Sequence, residues 1–175
     1  YFRQELISAL KILQEGDMTL ADMYGSFDGG MGQPQFMPSS YIRFAVDGNE
    51  DGVYDIYDTE ADVFSSIAHY LSEHGWNPDL TWATKVTLPD HFDRSLDRDR
   101  KPLNEWKEYG VEPVLGQSWP NGDPEARLLV YSDSGNQETA YLAYANFDVI
   151  FRYNHSNYYV IAIGELADSL MEPDA

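Results

Sequence analysis

Residues 25–35 form a glycine-rich segment that constrains the local fold more than any other part of this chain. Four of its residues are glycines, and Pro34 follows closely after the last of them. A regular helix or strand is disfavoured there, because glycine weakens both and proline lacks a backbone donor. We therefore expect an ordered loop with tight turns, in which Ser26 and Gln35 can hydrogen-bond a ligand. The alternative is a loop that only its own side chains stabilise.

Apolar residues recur at helical spacing on both sides of this loop. The pattern predicts a helix over residues 1–14, a short helix from Thr19, another from Pro38, and a longer one after Thr59 that ends at Gly75. The first helix has no N-cap residue before it, so we interpret the chain as a piece of a longer protein.

The middle of the chain has a different residue pattern. Short alternating runs among Pro, Gly and Asp clusters predict a small mixed β lobe over residues 79–140. Helical patterning returns over residues 139–153, and a last helix begins near Ser156. We expect an α+β fold, mainly helical, in which residues 1–78 and 141–175 form a helical core and the lobe is inserted between them.

Composition excludes several functional classes. The 175 residues include 30 acidic and 11 basic side chains, which give a formal net charge of −19. Nucleic acid is therefore not expected as a partner, because its recognition depends on clustered cations. No stretch approaches the roughly 20 apolar residues of a membrane-spanning helix. The absence of cysteine leaves the compartment open.

An acidic segment follows the helix that begins at Pro38. Residues 47–55 read D-G-N-E-D-G-V-Y-D, which matches the first nine positions of a calcium-binding loop. The predicted ligands are the side chains of Asp47, Asn49 and Asp51, the backbone carbonyl of Val53, and a last ligand that is either Asp58 or Asp62. We expect a structural Ca²⁺ rather than Mg²⁺, since the loop offers many protein oxygens. The alternative is an acidic, solvated turn.

The glycine-rich segment also carries a family resemblance. Residues 25–40 read G-S-F-D-G-G-M-G-Q-P-Q-F-M-P-S-S, which closely resembles the G-S-x-x-G-x-M-G-x-x-Q-F-M-P-S-S motif of the membrane-bound lytic murein transglycosylase B family. Further matching blocks follow in order at residues 45–47, 68–71 and 146–159. The resemblance is weakest in residues 79–140.

The resemblance implies a lysozyme-like helical core with a small β lobe. It also implies cleavage of the β-1,4 bond between N-acetylmuramic acid and N-acetylglucosamine in peptidoglycan, with formation of 1,6-anhydromuramic acid. Ser26 and Gln35 would bind the glycan strand, and an aromatic wall with one amide would lie near the cleaved bond. The residues of that wall would be Tyr70, Tyr153, Asn154 and Tyr159. In the family the acidic loop binds a calcium-like cation, with the aspartate that matches Asp62 among its ligands, although this loop has one extra residue before Asp62.

The family's catalytic glutamate lies in an E-T-x-x-G motif upstream of the segment that matches residues 1–6. These 175 residues contain no such motif, so we predict that the chain holds no catalytic acid and is inactive alone. We expect Glu5 to be an ordinary helix-surface residue.

The leading hypothesis is thus the carboxy-terminal portion of a peptidoglycan lytic transglycosylase. The resemblance places the parent protein in the periplasm, with an outer-membrane anchor in a part outside this chain. Two alternatives remain open: a non-catalytic module that binds peptidoglycan glycan strands, and a calcium-stabilised interaction domain unrelated to sugar.

Overall fold

The computed structural model describes residues 1–132 and 138–171. The chain forms two compact units, residues 1–73 and residues 74–175, and each is described by itself below.

Three helices build the first unit: α1 (Phe2–Glu15), α2 (Pro38–Phe44) and α3 (Glu60–Glu73). Helix α2 packs against both α1 and α3. Its inward face buries Tyr41 and Phe44, and α1 and α3 contribute Ile12 and Val63 to the interior. Helix α1 ends at Gly16, whose φ of 85° is the left-handed conformation typical of a helix C-terminus. These three helices were predicted from the spacing of apolar residues.

The short helix predicted from Thr19 is wrong. The backbone there makes one turn, in which Met23 N donates to Thr19 O, and the Thr19 hydroxyl bonds the Asp22 carboxylate. The capping pattern is therefore real, but the glycine-rich segment begins at Gly25, before a second helical turn can form.

A five-stranded antiparallel sheet organises the second unit. Its strands are β1 (Ala83–Thr87), β2 (Arg100–Pro102), β3 (Glu112–Pro113), β4 (Glu125–Ser132) and β5 (Glu138–Ala143), in the order β2-β4-β5-β1-β3. The helices of this unit are α4 (Leu103–Glu108), α5 (Ala145–Tyr153) and α6 (Asn157–Met171), with a 3₁₀ turn at Arg94–Leu96.

Both faces of the sheet are covered. On one face Leu128 and Leu142 pack with Leu103 and Trp106 of α4, all of them fully buried. On the other face Leu129 and Tyr141 pack with α5 and α6. The sheet is therefore a central layer of this unit, which explains why its inner strands are apolar on both sides.

The helical prediction over residues 139–153 is wrong in its first part, because residues 138–143 form strand β5 and the helix begins only at Ala145. The predicted lobe boundary at residue 140 accordingly falls inside a strand, and α5 packs on the sheet. The grouping of residues 141–175 with residues 1–78 in one helical core stays a prediction. Within the described residues, no helix combines the length and the apolar character that crossing a bilayer requires.

Candidate functional site

The glycine-rich segment is an ordered loop, as predicted. Two isolated antiparallel bridges, Gly25 with Met31 and Met31 with Phe36, fold it back on itself. The side chains of Met31 and Phe36 are only 3% exposed and anchor the loop in the first unit. These apolar side chains therefore hold the loop against the interior of the first unit, while its polar side chains face solvent.

The backbone and hydroxyl of Ser26 close one turn of this loop. Ser26 N donates to Gly30 O at 2.8 Å, and Gly30 N donates to the Ser26 hydroxyl at 3.0 Å. The hydroxyl also donates to Asp28 at 2.5 Å, and this bond lowers the pKa of the Asp28 carboxyl. The Ser26 side chain is exposed but already engaged within the loop.

Gln35 has an unusual backbone conformation. Its φ of 54° lies in the left-handed region, which a non-glycine residue rarely occupies. Its side-chain Nε2 donates to Gly32 O at 2.8 Å, whereas no donor within the described residues reaches its Oε1. Strained residues of this kind cluster at ligand-binding sites, at a cost on the order of 1–3 kcal/mol.

Ser26 and Gln35 lie next to each other around Gly30. A Cβ atom added to Gly30 would lie 2.9 Å from the Ser26 hydroxyl and 3.0 Å from Gln35 Oε1. The two residues that the sequence singles out are therefore brought together, with room for nothing larger than a hydrogen between them.

Tyr70 lies in the interior rather than on an open face. Tyr70 is 9% exposed. Its ring packs edge-on against Phe44, with centroids 4.8 Å apart, and is tilted against Phe36, with centroids 5.9 Å apart. Since Phe36 follows Gln35 in the loop, its contact with Tyr70 anchors this part of the loop in the interior of the first unit. The role of Tyr70 in an aromatic wall near the cleaved bond stays a prediction.

Hydrogen bonds from its own backbone and side chains order the acidic loop. Gly52, at the sixth position, has a φ of 90°. The carboxylate of Asp47 accepts hydrogen bonds from Asp51 N at 3.1 Å and Gly52 N at 2.7 Å, and Asp51 accepts from Val53 N at 2.8 Å. The Asn49 amide donates to Asp51 at 2.9 Å. These bonds close the turn of the loop through the side chains of Asp47, Asn49 and Asp51.

The two candidates for the last ligand differ in position. Asp62 is fully buried, and its two oxygens accept from Gly48 N and Asp55 N, each at 2.8 Å. Asp58 is exposed and lines a cavity of about 260 Å³ beside Val53. Asp62 therefore joins the two ends of the loop through its side chain.

Asp55 organises the exit of the same loop. Partial burial acts to raise the pKa of the Asp55 carboxyl, but hydrogen bonds from Tyr57 N, Asp58 N and the Thr59 hydroxyl outweigh this effect, and the pKa is lowered.

Within residues 1–132 and 138–171, no three acidic or histidine side chains are gathered closely enough to hold a metal ion.

The remaining predicted residues lie at the turn from α5 to α6 in the second unit. Tyr153 ends α5 and Asn154 follows it as the C-cap, with an exposed side chain. Ser156 begins the next turn, because its hydroxyl accepts from Tyr159 N at 3.3 Å. Tyr159 packs partly against the sheet, and burial raises the pKa of its phenol.

The prediction for Glu5 is wrong. Its side chain is 8% exposed, and its carboxylate accepts from both the backbone N–H and the hydroxyl of Ser39, at 2.9 and 2.8 Å. Ser39 stands in the first turn of α2, where a carboxylate satisfies a free N–H group. The sequence could have indicated the burial of Glu5, because Glu5 lies seven residues before Ile12 and therefore on the same face of α1.

The family model described as Transglycosylase SLT domain matches residues 1–168. The chain is 30% identical to the membrane-bound lytic murein transglycosylase B of Escherichia coli, over 97% of this chain and 46% of that protein. It therefore spans about half the length of the curated relative it matches.

Solved structures of lytic transglycosylases have the same fold. SltB3 from Pseudomonas aeruginosa, in complex with NAG-NAM-pentapeptide, superposes with a TM-score of 0.88 and 41% identity over 97% of this chain and 46% of that one. Slt35 from Escherichia coli, in complex with calcium, gives a TM-score of 0.80 and 31% identity over 96% of this chain and 52% of that one. The predicted lysozyme-like, mainly helical α+β fold is thereby confirmed.

Proposed function

Since this chain belongs to the Transglycosylase SLT domain family, we propose that it binds the glycan strands of peptidoglycan and forms the carboxy-terminal portion of a lytic transglycosylase. The proposed reaction of the whole protein cleaves the β-1,4 bond between N-acetylmuramic acid and N-acetylglucosamine and leaves a 1,6-anhydromuramic acid end. SltB3, a relative of this chain, was solved in complex with NAG-NAM-pentapeptide.

The observation that carries this proposal is the convergence of Ser26 and Gln35 around Gly30. A saccharide with acetamido groups offers N–H and O–H donors, and Gln35 Oε1 is an amide acceptor that no described residue uses. The strained backbone of Gln35 and its bond to Gly32 fix that oxygen before a ligand arrives. A preorganised acceptor binds with a smaller loss of conformational entropy.

This positioning suits the proposed chemistry. Glycosidases commonly use two carboxylates, whereas in lytic transglycosylation the C6 hydroxyl of the sugar itself closes the ring. Such an intramolecular attack succeeds only in an aligned conformer, so the protein must hold the saccharide rigidly. We assign this positioning to Gln35 and Ser26. Tyr153, Asn154 and Tyr159 would contact the glycan at the α5–α6 turn, and Tyr70 would act by supporting the loop.

The chain by itself is proposed to bind but not to cleave. Its sequence contains no E-T-x-x-G motif, and the carboxylate of Glu5 is committed to Ser39. Incubation of the purified chain with peptidoglycan sacculi should release no anhydro-muropeptides. Release of such products would contradict this part of the proposal. The missing motif also fits the second candidate, a non-catalytic peptidoglycan-binding module, and the codons upstream of Tyr1 in the gene distinguish the two.

We also propose that the acidic loop holds a structural Ca²⁺. The side chains of Asp47, Asn49 and Asp51, the carbonyl of Val53 and the carboxylate of Asp62 would be its ligands, and the ion would supply charge neutralisation within the loop. Slt35, a relative of this chain, was solved in complex with calcium. The hydrogen bonds that Asp62 makes to Gly48 and Asp55 already join α3 to the loop.

We propose that the parent protein lies in the periplasm, because peptidoglycan lies there. The 30%-identical relative is named as membrane-bound. An outer-membrane anchor would belong to a part outside this chain. Fractionation of cells that carry the tagged full-length protein tests this assignment, and a cytoplasmic signal would contradict it.

Titration with a soluble glycan tests the binding proposal. The chain should bind N-acetylglucosamine tetramers or a NAG-NAM disaccharide, and the Gln35→Ala variant should bind them at least about tenfold more weakly, which corresponds to roughly 1.4 kcal/mol for one lost hydrogen bond to a fixed acceptor. Asp28→Asn serves as a control, since it changes the charge of the same loop and leaves the Gln35 amide in place.

A further inference from the structure

A second groove lies in the unit of residues 74–175, and none of its residues belongs to the site described above. It has a volume of about 510 Å³ and opens between the loop of residues 116–121, the entry to β1 and the last turns of α6. Its lining includes polar, acidic and aromatic side chains that can contact a ligand: Asp79, Thr81, Ser118, Trp119, Asn121 and Asp168.

The wall formed by residues 116–121 is fixed in place. Gly116 turns the chain with a φ of 89°, and the Gln117 side-chain oxygen accepts from Lys85 N on strand β1 at 2.7 Å. Lys107 Nζ lies 5.6 Å from the centre of the Trp119 ring, within reach of a cation–π contact. The indole is also partly packed against the apolar core of the sheet. Trp119 is therefore a held ring rather than a mobile one.

The opposite wall is equally constrained. Asp168 Oδ2 accepts from the indole N–H of Trp82 at 3.0 Å. The Trp82 ring in turn packs directly on Gly164 of α6, where an added Cβ would lie 2.2 Å from an indole carbon. This close packing fixes Asp168 at the edge of the groove, and no described residue donates to its other oxygen.

The chemistry of these walls favours a neutral polyhydroxylated ligand. The lining contains hydroxyl, amide and carboxylate groups around one aromatic ring, and no lysine or arginine. Carboxylates accept strong hydrogen bonds from hydroxyl groups, while the apolar body of an indole packs against the C–H faces of a sugar ring. An anionic ligand would meet the carboxylates of Asp79 and Asp168. Lys107 is not a lining residue, and its Nζ lies 5.6 Å from the centre of the Trp119 ring.

We propose that this groove is a second saccharide-binding site, which holds N-acetylhexosamine units of a glycan strand. The choice of ligand rests on the proposed function, because the same polymer is the proposed substrate. The groove uses a different set of residues from the loop of Ser26 and Gln35. A glycan strand bound there is held by the sheet unit alone, so binding does not depend on residues 1–73.

The test is a titration of the isotopically labelled whole chain with N-acetylglucosamine tetramers, followed by NMR. The indole N–H signal of Trp119 and the amide signals of Ser118 and Asn121 should shift in a saturable manner. The Gln35→Ala variant should show the same groove shifts, because it leaves the second site intact. Asn121→Ala and Asp168→Asn should each weaken the groove shifts by about tenfold, and Asp168→Asn keeps an oxygen that accepts from Trp82.

The outcomes separate the two proposals. Shifts in residues 25–41 without any at Trp119, Ser118 or Asn121 would overturn the second site and leave the proposed function standing. Groove shifts that persist in Gln35→Ala and weaken in Asn121→Ala would support it, even if the loop of residues 25–41 failed to respond. Shifts of Trp119 caused by a free stem pentapeptide but not by the tetramer would overturn the saccharide assignment in favour of a peptide.

Discussion

The carboxylate of Asp62 accepts a hydrogen bond from the backbone N–H of Gly48, with 2.8 Å between N and Oδ1. Asp62 belongs to helix α3, whereas Gly48 is the second residue of the acidic loop. The two segments touch so closely that a Cβ atom on Gly48 would lie 2.3 Å from the carbonyl oxygen of Ala61. The loop is thus already joined to the helix before a cation binds.

Calcium should stabilise the chain through this loop. A ligand present at about 100 times its dissociation constant stabilises the folded state by about 2.7 kcal/mol, and a calorimetric melt with and without a chelator measures the effect. The Asp47→Ala/Asp51→Ala double variant should lose the calcium-dependent shift, because it removes two of the proposed ligands. Asp58→Asn should retain it.

The contrast between Asp58 and Asp62 decides the last ligand. Asp62→Asn should melt at the same temperature with and without calcium, while circular dichroism verifies that it folds. A calcium-dependent shift that survives in the double variant would refute the loop assignment, and one that is lost in Asp58→Asn would identify Asp58 as the ligand.

Glu5 should stabilise the first unit through Ser39. Hydrogen bonds to a charged group are worth roughly 1.5–3 kcal/mol, so Ser39→Ala should lower the free energy of unfolding by an amount in that range. Glu5→Ala should cost at least as much, since it leaves the Ser39 N–H without its partner. Denaturant unfolding measures both. The exposed Ser72 provides a matched control, because Ser72→Ala should change the stability by less than about 0.5 kcal/mol.

A methyl group on Gly30 should disturb glycan binding. The new Cβ would lie 2.9 and 3.0 Å from the side-chain oxygens of Ser26 and Gln35, so both side chains have to move. We expect Gly30→Ala to weaken binding of the N-acetylglucosamine tetramer by about tenfold. The melting temperature should change little. Unchanged affinity in a folded variant would show that the positions of these two oxygens do not matter for binding.

The buried Tyr144 should contribute to alkaline unfolding. Burial raises the pKa of Tyr144 to about 12, against an ordinary value of 10.0, although a hydrogen bond with Thr84 acts in the other direction. Because the folded-state pKa is the higher one, the associated stability is fully present below pH 10 and is lost as the pH rises toward 12. Tyr144→Phe should flatten this loss in denaturant titrations.

Helices with an apolar face and a clear end could be predicted from the sequence, whereas the strand β5 could not. Residues 140–143 are an apolar run, buried on both faces of the sheet. Such a run lacks the alternation of a half-buried strand, and its periodicity does not distinguish it from a buried helix. Tertiary pairing with β1 and β4 decided the outcome.

The candidate site, too, could be predicted from the sequence only in part. The motif identified Ser26 and Gln35, but only the backbone geometry shows that they converge around Gly30. The resemblance assigned Tyr70 to an aromatic wall near the cleaved bond, and only the structure shows that its ring packs against Phe36 and Phe44. Glu5 was missed because a charged side chain on a helix is usually solvated.

An NMR titration of the chain with a NAG-NAM disaccharide, with the Gln35 side-chain amide as the reporter, tests whether the loop of Ser26 and Gln35 binds the glycan. We expect saturable shifts of that amide and of the backbone signals of residues 25–41, and at least about tenfold weaker binding in Gln35→Ala. Signals of residues 25–41 that stay unchanged at saturating disaccharide, or equal affinity in a folded Gln35→Ala variant, would contradict it.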